Sequence, residues 1–163
     1  MLTTSPALLK SPMPPTPIHA ATAEHYTWQG ADAAHTRCDA WYLVRTPDLH
    51  IIEERMPPGA AETPHQHTRA HQFFYVLSGE LTLAVDSHDH TLHAGHGLQI
   101  APGQVHQAIN RSAAPVRFLV TSNPPSHGDR IDTRIDARAH RSPLTHVHRA
   151  PANFNQPTSQ SSA

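Results

Sequence analysis

The chain has one cysteine, Cys38. That excludes an intrachain disulfide and a cysteine-rich zinc site, and it suits a reducing compartment. Charge of either sign is not in excess: 12 Lys and Arg stand against 13 Asp and Glu, a formal net charge of −1. A nucleic-acid surface or a polybasic membrane patch needs a basic surplus, so neither is expected. No apolar run approaches the roughly 20 residues of a membrane span. The opening MLTTSPALLK lacks a basic segment followed by a long apolar one, so no signal peptide is expected and the cytoplasm is the expected location. A convincing helical period is missing as well. At 163 residues the chain has room for one domain with a real core.

Proline and glycine divide the chain. Pro6, Pro12, Pro14, Pro15 and Pro17 crowd residues 1–23, where they block helix interiors and sheet ladders, so a disordered arm is expected. Residues 131–163 end in small polar residues and are read as a disordered tail. All seven glycines fall between these arms, where they suit the tight turns of a folded domain at 24–130. Inside it the apolar segments are short. Strands are expected at 40–44, 49–56, 72–77, 80–85, within 91–100, at 105–110 and at 116–120. Intervals of about ten residues, with a turn at Leu77-Ser78-Gly79-Glu80, argue for an all-β sandwich or barrel.

Histidine is abundant, with 16 residues, and three His-x-His triplets occur: His65/His67, His88/His90 and His146/His148. Chance alone gives about one or two at this composition, so a triplet means little without its surroundings. His65 and His67 precede the β-forming run Phe73-Phe74-Tyr75-Val76-Leu77. On extended chain, side chains two apart share a face at roughly 6.5–7 Å, and two imidazoles so placed can converge on one ion. His146 and His148 lie in the polar tail and are read as solvated. His106 follows the Pro102-Gly103 corner and shares a strand face with Ala108 and Asn110, as the wall of a small cavity would allow.

Two stretches resemble the paired motifs of the cupin superfamily. In the first, Gly59 is followed by five residues, His65-x-His67, four residues, the acid position, six residues and Gly79. In the second, Gly95 is followed by five residues, Ala101-Pro102-Gly103, two residues, His106, three residues and Asn110. Phrases such as IIEERMPPG and QFFYVLSGE are similar to those of small single-domain bacterial cupins. The resemblance covers about residues 40–125 and implies a double-stranded β-helix, the jelly-roll or cupin barrel, with a divalent transition metal (Mn, Fe, Ni or Zn) held by His65, His67, His106 and a fourth ligand. The position that usually carries glutamate is Gln72. It falls on the strand face of Phe74 and Val76 and keeps the spacing to Gly79, which favours it over its rival His71.

Three imidazoles and an amide oxygen are all neutral, so they leave a divalent ion its full charge. That suits a Lewis acid, and it disfavours the ferric state that oxygen chemistry with a carboxylate ligand exploits. The expected function is therefore a metal-dependent isomerase, cyclase or hydrolase acting on a small oxygenated substrate at a carbonyl or enol. A non-haem dioxygenase and a non-enzymatic small-molecule binder are the alternatives. A homodimer is expected from the resemblance. Glu53, Glu54 and Arg55 sit on one strand; either they form a solvated face, or one of them points inwards as an acid, a base or an anion clamp. Trp28 and Trp41 are read as core or dimer contacts. Asp129-Arg130 carries no physical role at this stage.

Overall fold

A computed structural model describes residues 16–32 and 34–133. Most of the proline-rich arm, and nearly all of the tail with His146 and His148, lie outside the described residues. A 3-10 turn at Ala20–Thr22 precedes eleven strands: β1 Glu24–Gln29, β2 Arg37–Arg45, β3 His50–Met56, β4 His65–His67, β5 His71–Ser78, β6 Glu80–Val85, β7 His88–His93, β8 Gly97–Ile100, β9 His106–Ile109, β10 Val116–Asn123 and β11 Arg130–Asp132. There is no α-helix among the described residues, and no helix there is long and apolar enough to cross a membrane.

The strands form two sheets, a six-stranded one in the order β1-β2-β3-β10-β5-β8 and a five-stranded one in the order β11-β4-β9-β6-β7. Every pairing is antiparallel. This is the all-β, two-sheet jelly roll that the motifs imply. Gly79 makes the β5–β6 turn at φ +82°, where a Cβ would come within 2.8 Å of the Pro115 carbonyl oxygen. Only glycine meets both conditions without strain.

The strand period of two sorts the side chains. Along β5, Gln72, Phe74 and Val76 are buried, while His71, Phe73 and Tyr75 face out. Along β9, His106 and Ala108 are buried. The core between the sheets is aliphatic and aromatic, with Met56, Val76, Leu81, Leu83, Ile100, Val116 and Phe118 at its centre. Cys38 belongs to it, and burial pushes its thiol up to about 12, so it packs and does not react.

The inward residues change character along three neighbouring strands. β3 runs from His50 through Ile52 and Glu54 to Met56, and β10 runs from Val116 through Phe118 and Val120 to Ser122. Registry pairs Ile52 with Val120, Val120 with Phe74 and Ser122 with Gln72. One end of the barrel is therefore filled with apolar side chains. The other carries polar groups that need partners, and that end holds the cavity.

Candidate metal centre

His65 and His67 occupy the ends of β4, the three-residue strand between Pro64 and Thr68, and His65 pairs across the sheet with His106 of β9. All three imidazoles are at most 4% exposed, and His106 is fully buried. Their ring centroids lie 4.3 Å (His65–His106), 5.0 Å (His65–His67) and 5.5 Å (His67–His106) apart. One nitrogen from each falls within 4.8 Å of the others, close enough for one ion.

The tautomers are set by the backbone. His65 Nδ1 donates to the Thr63 carbonyl at 2.9 Å, His67 Nδ1 to that of Asp129 at 3.3 Å and His106 Nδ1 to that of Gln104 at 3.0 Å. Each bond leaves an Nε2 lone pair free, which is how a metal-ligating histidine is oriented. His67 Nε2 and His106 Nε2 are buried and have no hydrogen-bond partner among the described residues. Burial first, and then neighbouring positive or potentially positive groups, lower the pKa of His65 and His106 to about 4, and burial lowers that of His67. All three rings are neutral near pH 7, the state that binds a metal.

Gln72 is 6% exposed, whereas His71 faces outwards. The Gln72 Nε2 donates to Ser122 Oγ at 3.2 Å, which orients the amide and leaves Oε1 buried without a partner. A buried polar atom left unmatched costs about 1–3 kcal/mol. Three such atoms occur here, two imidazole nitrogens and an amide oxygen, so the residues fit a metal ion on the chemistry of the donor set alone.

A cavity of about 330 Å³ opens beside the cluster, lined by His65, His67, Gln72, Trp28, Phe74 and Glu54 among others. His106 is not exposed in its wall and lies behind it. The strand 53–55 now has a definite orientation. Glu54 points in, Glu53 bonds Arg117 on the outer side, and exposed Arg55 faces Asp39 at 3.7 Å. Trp28 packs on the core, as read from the sequence, and also lines the cavity. Of the residues singled out in the sequence, His65, His67 and Gln72 line the cavity, whereas Tyr26, Glu62, His127 and Arg130 reach it without any spacing signal.

Asp129 has a part that the sequence does not disclose. Its carboxylate accepts from the Thr68 hydroxyl and from the backbone N–H groups of Arg69 at 2.9 Å and Ala70 at 2.8 Å. Those donors hold it well below the usual carboxylate range. Its own carbonyl takes the His67 ring N–H, and the following residue, Arg130, begins β11, which pairs with β4. Asp129 thus clasps the loop that joins His67 to Gln72.

Residues 52–122 match the family model described as a cupin domain. The chain contains a cupin domain. Solved structures of similar fold include a predicted oxalate decarboxylase of Thermotoga maritima (15% identity, 68% of this chain and 100% of that one, TM-score 0.60). A sugar phosphate isomerase from a cupin superfamily of Silicibacter pomeroyi is also similar (22%, 80% and 97%, 0.59), as is an RmlC-like cupin of Shewanella frigidimarina (21%, 68% and 92%, 0.56). At these identities the likeness concerns the fold. No curated protein matches the chain. Within this cupin barrel, three buried histidines could bind a metal ion, and the adjoining cavity suits a small molecule.

Proposed function

We propose that His65, His67, His106 and the Gln72 amide oxygen hold one divalent transition ion (Mn, Fe, Ni or Zn), and that the protein is an enzyme acting on a small oxygenated molecule. The observation that supports this most directly is the convergence of unmatched buried donor atoms, each presented by a side chain whose other polar atom is tied to the protein. When bound, the ion would supply Lewis-acid polarisation of a carbonyl, enol or hydroxyl oxygen, as in isomerase, cyclase or hydrolase chemistry.

The chain supplies the rest. Four neutral donors add no negative charge, so compensation falls to Glu62 in the cavity wall, whose carboxylate accepts the Ala108 backbone N–H. Trp28, Phe74, Ile52 and Val120 give the cavity apolar surface that excludes water around a bound molecule. Oxalate and a sugar phosphate, the small oxygenated molecules in the names of two similarly folded proteins, are of the size class this reading needs. Iron-dependent oxygen uptake would favour a dioxygenase, and tight ligand binding without product would favour a binding protein. A homodimer is part of the same proposal, because Phe73, Tyr75 and Leu77 are 38–44% exposed on neighbouring outward positions of β5; sedimentation of the purified protein would check it.

Elemental analysis of protein purified without chelator tests the centre. A transition ion is expected in the wild type. Gln72→Ala is expected to weaken retention about tenfold or more, since loss of a group that shapes a metal site costs 10–100-fold. Unchanged retention in Gln72→Ala would remove Gln72 from the ligand set. Wild-type protein without any transition ion would end the proposal.

A further inference from the structure

Glu54 is a buried carboxyl with no ion-pair partner among the described residues. Only 8% of it is exposed, and it lines the same cavity as His65, His67 and Gln72. Its chain neighbours are both accounted for on the outer side of the sheet, with Glu53 on Arg117 and Arg55 near Asp39. Among the described residues, no arginine or histidine forms an ion pair with Glu54. Arg130, which also reaches the cavity, is spent on Asp132 at 2.6 Å and on the Thr63 carbonyl at 3.1 Å.

Its company is a second acid. Glu62 lines the cavity too, and its Oε2 accepts the Ala108 backbone N–H at 3.2 Å, a bond that suits the ionised form. Two carboxyl groups in one cavity thus stand in different environments, one anchored to a backbone donor and the other sunk against the Trp28 indole. Such a division assigns an anionic partner and a proton carrier. We propose that Glu54 is the proton-transfer group of this cavity, exchanging a proton with a carbon or oxygen of a small enol or α-hydroxyketone held beside the histidine cluster, with Glu62 as its ionised neighbour. This rests on the metal-dependent reading above and assigns it a residue and a substrate class.

Desolvation, and next the charge of Glu62, push the Glu54 carboxyl well above the ordinary carboxylate range, against smaller opposing contributions from Trp28 and the more distant charge of Arg130. It therefore starts as an acid. With an enol in the cavity, the Glu54 O–H bond breaks and its proton goes to the terminal carbon of the C=C. The π pair becomes the new C–H bond. The enol O–H proton leaves to water as the C=O forms, and water returns a proton to the Glu54 carboxylate. The enol has become its ketone, with no electron or proton consumed. The reverse path exchanges the α-hydrogens of a ketone with solvent.

Two measurements on the full chain decide it. The first is infrared spectroscopy of the metal-free and zinc-loaded protein. A carboxylic-acid C=O band is expected at neutral pH, lost in Glu54→Gln and kept in Glu53→Gln. In Glu62→Gln its pH midpoint should fall, because the neighbouring anion is gone. The second is α-hydrogen exchange of dihydroxyacetone in D2O, followed by NMR with zinc content measured on the same samples. Glu54→Gln should keep its zinc and lose about 100-fold or more in exchange rate, the usual scale for a positioned acid–base group. Glu54→Asp should recover part of that loss, which a purely structural role would not allow. A band that survives Glu54→Gln overturns the proposal, as does wild-type exchange in Glu54→Gln, or zinc-loaded wild type without exchange. Wild-type protein that takes up none of zinc, manganese, iron or nickel removes the metal reading itself, and the proposal with it.

Discussion

Protein carrying His106→Ala is expected to lose its transition ion, falling from stoichiometric to background content, while His71→Ala keeps it. The ring of His106 is fully buried, pairs with His65 across the sheet and is held by the Gln104 carbonyl, so no solvent-facing group stands ready to replace it. The ring of His71 faces outwards. Two readouts check the result. Elemental analysis gives the ion directly. Thermal unfolding with and without added ion gives the coupling: an ion at about 100 times its Kd stabilises by about 2.7 kcal/mol, on the order of 10 °C for a domain of this size. That gain should appear in the wild type and vanish in His106→Ala. The acid limb carries the same signature. In the native metal-free state His65 and His106 titrate at about 4, below the 6.5 of an unstrained imidazole. The unfolded chain therefore binds more protons between those values. Stability is intact above about pH 6.5 and drains as the pH falls towards 4. The variant, with one such group fewer, should show a shallower decline. An equal slope and an equal response to ion would refute the assignment of His106.

Replacing Asp129 with alanine is expected to lower metal affinity about 10–100-fold although Asp129 donates nothing to the ion. That is the range measured for groups that orient metal ligands from behind. The carboxylate gathers Thr68, Arg69 and Ala70, and so holds the loop between His67 and Gln72 at both ends. Without it the two proposed ligands are tethered by a loop free to wander. Asp129→Asn keeps one acceptor oxygen and should lose less. Asp132→Ala, on an exposed position of β11, should change little. Competition against a chromophoric chelator ranks the four proteins; indistinguishable rankings would show that the clasp has no bearing on the ion.

How far the residues alone lead depends on how local the determining contacts are. His65 and His67 share a face by the period of two, as Gln72 does with Phe74 and Val76 on the next strand, and the motif spacing is what joins the two segments into one site. His106 follows from the corner before it and the motif around it. Glu54 is different. The segment His-Ile-Ile-Glu-Glu-Arg-Met carries an apolar and a charged residue on each face, so its pattern fits either orientation, and only registry with β10 decides. β1 escapes notice because EHYTWQ alternates polar with aromatic residues that are only half-buried. Asp129 escapes because its partners lie some sixty positions earlier and each bond goes to a backbone group or a lone hydroxyl, which leaves no trace in spacing. β11 extends to Asp132, two residues beyond the boundary suggested at 130, since three exposed residues joined to β4 by backbone bonds need no apolar pattern.

The clasp also orders events in time. Domains are synthesised from the N-terminus at about 5–20 residues per second. The loop bearing His67 and Gln72 emerges well before Asp129 and β11, the pieces that lock it. Ion loading should thus be a late act of biogenesis, reached only after β11 has left the ribosome, and nascent chains halted short of it should release the ion readily.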